Sequence, residues 1–272
     1  MQKTTARKLR RWFGLLLIVY IAGGLVLYFF QDNILFHPKA LPADHVFRFD
    51  VPFREINLPV APEKNLNIVQ FTVPDSLCRG VVLYFHGNRR NIERYARFAP
   101  YFTRHGYEVW MMDYPGFGKS TGKCTEAIMQ ADALELYKMA AARFAADSII
   151  LYGKSLGTGM AAKVASMRDC RRLILETPYY DLPSVVRHYA PVYPVSRLLH
   201  YEFPIHDYLQ RAHVPITIFH GTKDKTITMA NAKKLLPLLQ QDDEFITIEG
   251  GRHNDLYQFP VTIHKLDSLL AR

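Results

Sequence analysis

Ser155 lies at the centre of a Gly-x-Ser-x-Gly pattern that begins at Gly153 and ends at Gly157. A short apolar run rich in β-branched residues precedes the pattern, and a helix-forming run follows it, as in a sharp strand-to-helix turn. Two glycines remove the Cβ atoms that would clash in such a turn, which leaves the serine hydroxyl exposed. The helix N-terminus would offer N–H groups to a developing negative charge. The pattern predicts that Ser155 is a nucleophile.

A serine nucleophile needs a base and an orienting acid, and two later strand ends supply both types. Asp224 follows an apolar run at residues 216–220, and His253 comes 29 residues further on, after another such run. An imidazole can take the serine proton near neutral pH, and a carboxylate can hold the ring in the required tautomer. We therefore predict that His253 is the base and Asp224 the acid. Glu176, which also ends a predicted strand, is the alternative acid.

The run at residues 80–85 ends in His86-Gly87-Asn88, and the loop after this strand is expected to supply a backbone N–H to an oxyanion. We predict that Asn88 is this donor.

Residues 148–155 come within one residue of a phosphate-binding P-loop, but an apolar strand cannot turn its amides inward as a phosphate cradle must. No metal site is predicted, because the sequence has no H-E-x-x-H motif and no Cys/His pairing.

Short apolar runs alternate with helix-forming stretches through the rest of the chain, which predicts an α/β fold with a mostly parallel sheet and helices on both faces. A strand hairpin is expected at residues 46–58 and 65–73, and single helices are expected at 92–105, 229–239 and 254–270. Hydrophobic residues make up 49% of the 272-residue chain, which is enough to fill a packed core and excludes low-complexity disorder.

The N-terminus predicts a membrane anchor. Five of the nine excess positive charges lie in the first eleven residues, and residues 12–30 contain no charged residue. A 19-residue helix is ~28 Å long, close to the hydrocarbon thickness of a bilayer. We predict a basic cytoplasmic tail at 1–11 and a transmembrane signal anchor at 12–30. A globular domain at 31–272 would then lie on the non-cytoplasmic (periplasmic, extracytoplasmic or lumenal) side. A buried edge helix and a cleaved signal peptide remain alternatives.

The stretch at residues 177–213 is rich in proline and tyrosine and cannot form one regular helix. We predict that it forms a small cap of broken helices over the strand ends. The alternative is an ordinary long connection that packs on the domain.

Six segments resemble the α/β-hydrolase-domain family: HGN, DYPGFGKSTG, GKSLGTG, LILETPYYDL, IFHGTKD and GGRHNDL. The resemblance covers roughly residues 30–270 and is to the membrane-anchored branch, which includes protein depalmitoylases and lysophospholipid or monoacylglycerol lipases. It implies an α/β-hydrolase fold with an eight-stranded sheet. By position it implies Ser155, Asp224 and His253 as the triad, with Asn88 and Leu156 as oxyanion donors. The sequence departs from the family where it reads His-Gly-Asn-Arg-Arg-Asn in place of HGNAGN and has Thr228 where proline is common.

The expected function is hydrolysis of carboxylic esters or thioesters of lipid-like acyl groups, on a small molecule or a protein, through an acyl-enzyme on Ser155. No cofactor is required for this chemistry. A peptidase or a non-catalytic membrane-bound binding protein on the same fold is the alternative. The positive charge outside the N-terminus is too weak to predict a nucleic-acid partner. Arg89, Arg90 and Lys154 are predicted to favour anionic or zwitterionic head groups, unless they are simply solvated charges.

Overall fold

The computed structural model describes the backbone of residues 2–271 and the side chains of residues 7–271. Residues 1 and 272 and the side chain of Lys3, part of the predicted basic tail, lie outside the described residues. The described strands are β1 His37–Pro38, β2 Phe53–Ala61, β3 Lys64–Phe71, β4 Gly80–Phe85, β5 Arg89–Arg90, β6 Tyr107–Met112, β7 Ile149–Lys154, β8 Arg172–Glu176, β9 Ile216–Gly221 and β10 Glu244–Ile248.

Eight of these strands form one sheet in the order β10-β9-β8-β7-β4-β6-β3-β2. The pairs from β10 to β6 are parallel, whereas β3 runs antiparallel to β6, and β2 antiparallel to β3. The predicted α/β-hydrolase fold with a mostly parallel eight-stranded sheet is therefore confirmed. β1 and β5 form a separate parallel pair.

The opening hairpin is shorter than its sequence pattern indicates. Its first strand begins at Phe53 and not at residue 46. Pro52 has no N–H to donate to a ladder. Phe49 instead places its ring 5.1 Å from that of Phe71, where it packs against β3. The apolar side chains of Phe47 and Phe49 thus cover the sheet, and this stretch does not extend it.

Helices cover both faces of the sheet. The described helices are α1 Gln2–Phe29, α2 Gln31–Leu35, α3 Ile92–Tyr95, α4 Pro100–Thr103, α5 Glu126–Ala141, α6 Gly157–Ala165, α7 Leu182–Tyr189, α8 Val195–Leu198, α9 Ile205–Leu209, α10 Met229–Ala232 and α11 Pro260–Ala271. Leu83 of β4 belongs to a core cluster with Leu136 of α5 and Met160 of α6. Its neighbour Tyr84 points to the opposite face, in a second cluster that includes residues of α4 and α11. Burying such side chains stabilises the fold by about 1.5–3 kcal/mol each.

Proline interrupts three stretches that were predicted as single helices. Residues 92–105 form α3, a 3₁₀ turn and α4, which starts at Pro100. Residues 229–239 form α10 and a 3₁₀ helix that contains Pro237. The last helix begins at Pro260 and not at residue 254. Proline lacks an N–H and clashes with the preceding turn, but its fixed φ suits the first helical position.

The N-terminal helix α1 contains a candidate membrane span at Arg7–Phe29. Its most apolar 18-residue stretch has a mean hydropathy of 2.2, and none of this stretch is buried inside the protein. It is long and apolar enough to cross a bilayer. The segment that joins β8 to β9, residues 177–215, contains α7, α8 and α9 and contacts this helix. We call it the β8–β9 segment. The predicted boundaries of the tail, the anchor and the cap remain predictions.

Candidate active site

Ser155 lies in the turn between β7 and α6 and adopts a φ of +51°, in the left-handed region. Glycine is required on both sides of it. A Cβ on Gly157 would lie 1.9 Å from the Phe85 carbonyl oxygen, and one on Gly153 would lie 2.6 Å from the Gly157 carbonyl oxygen. These obstacles are backbone atoms, which cannot move aside as a flexible side chain can. The turn therefore depends on the two glycines that the sequence pattern contains.

The structure brings the three predicted triad side chains into one hydrogen-bonded chain. His253 Nε2 lies 3.0 Å from Ser155 Oγ, and His253 Nδ1 lies 2.7 Å from Asp224 Oδ2. Ser155 is 8% exposed and Asp224 6% exposed, so water has little access to either end of this chain. The geometry is that of a base within reach of a hydroxyl and oriented by a carboxylate.

Asp224 is held as a carboxylate. Its Oδ1 accepts hydrogen bonds from the backbone N–H groups of Thr226, at 2.8 Å, and Ile227, at 2.9 Å. Burial alone would raise the pKa of this carboxyl, but the hydrogen bond and charge of His253, together with the backbone donors, outweigh burial and lower the pKa. Burial also lowers the pKa of the neighbouring His220, which favours its neutral form. Asp224 therefore carries a negative charge at neutral pH.

Glu176, the alternative acid, has other partners. Its carboxylate forms a buried ion pair with Lys154 and accepts a hydrogen bond of 2.7 Å from the Tyr152 hydroxyl. Asp224 and not Glu176 faces the ring of His253. Lys154 borders a cavity that reaches Ser155, but its ammonium group is buried and paired with Glu176, which argues against the predicted head-group contact. Lys154 Nζ lies 3.4 Å from the His253 carbonyl oxygen instead.

Asn88 and Leu156, the predicted oxyanion donors, border the same cavity as Ser155. Within the described part of the chain, neither backbone N–H has a hydrogen-bond acceptor, so both are free to donate. The loop before Asn88 is fixed from below: His86 Nε2 lies 3.1 Å from Asp113 Oδ1, with both side chains fully buried. Burial raises the pKa of Asp113, against the hydrogen bond from His86.

An apolar cavity of about 380 Å³ opens from Ser155. Its walls come from four separate segments of the chain; the sequence predicts a covering segment at residues 177–213 but does not identify the walls at residues 27, 34–36 and 227. The wall residues are Leu27, Ile34, Leu35, Phe36, Tyr179, Leu182, Val185, Val186, Tyr189, Ala190 and Ile227. Such a cavity fits a hydrocarbon chain and offers few polar partners.

A second, smaller cavity of about 210 Å³ also reaches Ser155 and His253, and it carries positive charge. Arg89 and Arg94 line it, and in the described part of the chain neither is paired with a carboxylate. Arg94 is not among the site residues predicted from the sequence, although it lies in the first turn of a helix that the sequence does predict. Arg90 is not among the lining residues. Arg89 and Arg90 form β5, and the side chain of Asn91 caps α3.

Sequence comparison relates the chain to known hydrolases. The family model described as "Serine aminopeptidase, S33" matches residues 77–204. Alpha/beta hydrolase domain-containing protein 17C of Xenopus tropicalis is 28% identical over 198 residues, which are 71% of this chain and 62% of the relative. An uncharacterized protein of Mycobacterium tuberculosis is 23% identical over 243 residues, 88% of this chain and 86% of the relative. The chain thus spans about three fifths of the first of these relatives.

Solved structures share the fold at low sequence identity. An esterase of Pyrococcus furiosus superposes with a TM-score of 0.66 at 14% identity, and covers 87% of this chain and 96% of its own. A soluble variant of monoglyceride lipase from Saccharomyces cerevisiae, in complex with a substrate analog, gives 0.62 at 18% identity, with 84% and 97% covered. Both likenesses concern the fold of the chain.

Gly157→Ala is expected to lower the free energy of unfolding by about 1–3 kcal/mol or more, because the new methyl group meets the Phe85 carbonyl. Gly14→Ala is the matched control, since it adds the same methyl group to a helical glycine with nothing within 4 Å of the new atom. Chemical denaturation of the detergent-solubilised protein measures both. Equal stability of the two variants would contradict this account of the turn.

Asp224→Asn is expected to slow fluorophosphonate labelling of Ser155 on the order of 10³–10⁴-fold, because the ring of His253 loses its orienting carboxylate. Asp255→Asn serves as the control. Asp255 accepts a hydrogen bond from the Arg252 N–H and has no contact with the His253 ring, and an asparagine can accept the same bond. The assignment of the acid fails if both variants label at the wild-type rate.

Proposed function

We propose that the chain is a member of the α/β-hydrolase family and a serine hydrolase that cleaves carboxylic esters or thioesters of lipid-like acyl groups. The observation that supports this best is the row of hydrogen bonds that joins Ser155, His253 and Asp224. Ser155, at one end of this row, lines the apolar cavity. A nucleophile with its base in place and an adjacent space for hydrocarbon is what such a reaction requires.

In the first step, Ser155 Oγ attacks the acyl carbonyl carbon while His253 Nε2 takes the hydroxyl proton. Negative charge develops on the carbonyl oxygen, where the N–H groups of Asn88 and Leu156 stabilise it. Asp224 stabilises the imidazolium by its charge and hydrogen bond. The bond to the leaving group then breaks, and the alcohol or thiol leaves with the proton from His253.

In the second step, water replaces the leaving group. His253 takes a proton from the water as it attacks the acyl-enzyme, and the same two amides hold the oxyanion. When the tetrahedral intermediate collapses, His253 returns the proton to Ser155 Oγ and the free carboxylic acid leaves. Both steps use residues of this chain and need no added cofactor.

The two cavities suggest where the parts of the substrate bind. The apolar cavity suits the acyl chain, and the cavity lined by Arg89 and Arg94 suits the leaving group. Arg94 is half-buried and Arg89 is exposed, and a guanidinium without a carboxylate partner favours an anion such as a phosphate. We therefore keep the proposal of an anionic or zwitterionic head group, now on Arg89 and Arg94.

Membrane attachment through α1 fits a lipid-like substrate. We propose that residues 12–30 anchor the protein as a single pass, with residues 1–11 in the cytoplasm and residues 31–272 on the other side. The basic residues before the span support this orientation. In this arrangement the β8–β9 segment is a cap over the apolar cavity, to which it contributes five side chains between Leu182 and Ala190.

A peptidase is the second candidate, because the matched family model is described as a serine aminopeptidase. The same triad would serve amide hydrolysis. The apolar lining of the larger cavity favours a fatty acyl group over a peptide, whose backbone would need hydrogen-bonding partners there.

Ser155→Ala is expected to abolish fluorophosphonate labelling and to reduce the hydrolysis of 1-oleoylglycerol and a palmitoyl thioester to background, because the attacking oxygen is lost. The measurement is labelling followed by gel fluorescence, with fatty-acid release in parallel. Ser166→Ala is the control, as its hydroxyl bonds the Lys163 carbonyl outside the site. Labelling that survives in Ser155→Ala, or wild-type cleavage of peptides but not of acyl esters, would contradict the proposal.

Arg94→Gln is expected to lower the preference for 1-oleoylglycerol 3-phosphate over 1-oleoylglycerol about 10-fold, since one charge-assisted hydrogen bond is lost. Arg97→Gln is the matched control on the same stretch of chain: Arg97 is exposed, and its guanidinium lies 4.9 Å from the centre of the Phe98 ring. Ratios of kcat/KM for the two lipids measure the effect. An unchanged ratio in Arg94→Gln means that the smaller cavity does not select an anion.

A further inference from the structure

The turn of the β8–β9 segment at residues 189–196 lies against α1. The ring of Tyr193 stacks on that of Tyr20 with 4.8 Å between centroids, and its hydroxyl donates to the Tyr20 carbonyl at 3.1 Å. A Cβ on Gly23 would lie 2.1 Å from the Tyr193 hydroxyl oxygen, so Gly23 forms a notch for this side chain. We call residues 189–196 the cap tip.

The contact points on α1 lie well inside the candidate membrane span. At about 1.5 Å per residue, Gly23 is ~9 Å and Tyr20 ~14 Å from the end of the span at Phe29, measured along the helix. The helix cannot slide far to bring these residues out of the bilayer, because the basic residues Arg10 and Arg11 precede the apolar run. The cap tip must therefore enter the same lipid leaflet.

The cap tip has the composition that entry into lipid requires. None of its eight residues is charged, whereas Arg187 and Arg197 flank it and can meet lipid phosphates. Val192 is 69% exposed and Tyr189 61% exposed, although the Tyr189 hydroxyl donates to the carbonyls of Lys225 and Thr226. Neighbouring exposed apolar side chains are typical of a surface that contacts a membrane.

Its backbone is also largely satisfied within the protein. The N–H groups of Tyr193 and Val195 donate to carbonyls of the tip, and the Val192 carbonyl accepts from the Tyr20 hydroxyl at 3.3 Å. The two prolines, Pro191 and Pro194, have no N–H to satisfy. Polar backbone groups without partners are what normally keeps a loop out of hydrocarbon.

The apolar cavity opens between these two elements. Leu27 of α1 lines this cavity together with Tyr189 and Ala190 at the base of the cap tip, and Ser155 lines it as well. We propose that the cap tip inserts into the bilayer beside α1 and that an acyl chain enters the cavity sideways from the lipid, between α1 and α7. That the molecule entering the cavity is an acyl chain rests on the proposed function. The position of the cap tip, in contrast, can be measured without catalysis.

The first test places an environment-sensitive fluorophore on Val192→Cys in the full-length protein, reconstituted in phosphatidylcholine vesicles. Cys78 is replaced by serine, while burial raises the pKa of the Cys124 and Cys170 thiols to about 12 and keeps them unreactive. We expect quenching by nitroxides on the lipid acyl chains and protection from iodide. Val261→Cys on α11, 47% exposed, is the control and should show the reverse. Equal iodide quenching at both positions would overturn the insertion.

The second test separates the cap tip from α1. Gly23→Val should displace Tyr193, whereas Gly14→Val adds the same side chain to the same helix at a position with nothing within 4 Å. We expect Gly23→Val to hydrolyse 1-oleoylglycerol in vesicles at least 10-fold more slowly, with unchanged hydrolysis of water-soluble p-nitrophenyl butyrate. Gly14→Val should match the wild type on both. Wild-type rates on the vesicle substrate in Gly23→Val would overturn sideways entry.

The two tests distinguish this inference from the proposed function. Lipid quenching at residue 192 supports insertion even if no ester is cleaved, and a wild-type protein inert toward both esters contradicts the hydrolase alone. Cleavage of both esters together with iodide quenching at residue 192 contradicts the insertion alone.

Discussion

The close approach of α6 to the end of β4 is the contact on which the site depends. At Gly157 the helix backbone passes the Phe85 carbonyl with no room for a methyl group. This contact fixes the first turn of α6, and with it the strained φ of Ser155. It also holds the end of β4 beside Ser155, so that the loop carrying Asn88 borders the same cavity. Backbone strain of this kind persists only where the surrounding structure enforces it.

Ser155 lies where two cavities of opposite character meet. One is walled by apolar side chains and the other by arginines, so a bond held between them would join a hydrophobic group to a polar one. The charges beneath the turn are arranged differently: Lys154 and Glu176 are buried and neutralise each other. Buried pairs of this type contribute little net stability, but removing one partner leaves an uncompensated charge. We interpret this pair as support for the turn and for the carbonyl of His253.

Much of this architecture could be predicted from the sequence, because each residue of the predicted triad follows an apolar strand. Parallel strands end at one edge of the sheet. That rule places Ser155, Asp224 and His253 together without any knowledge of side-chain positions. Other features could not be predicted in this way. Lys154 was expected to favour a head group, but it pairs with Glu176 from the next strand of the sheet, and sequence spacing does not give such a pairing. Leu27 and Tyr189 both line the apolar cavity, but they come from distant segments of the chain, so no local sequence pattern connects them.

The proposed mechanism depends on an acyl-enzyme on Ser155, and the mass of such an intermediate can be measured directly. With p-nitrophenyl butyrate, the good leaving group makes acylation faster than deacylation, so the intermediate accumulates before the steady state. Acid quenching followed by peptide mass spectrometry should find one butyryl group per chain, on the peptide that contains Ser155. A butyryl group on another residue, or rapid hydrolysis with no acylated peptide at any time, would contradict the account.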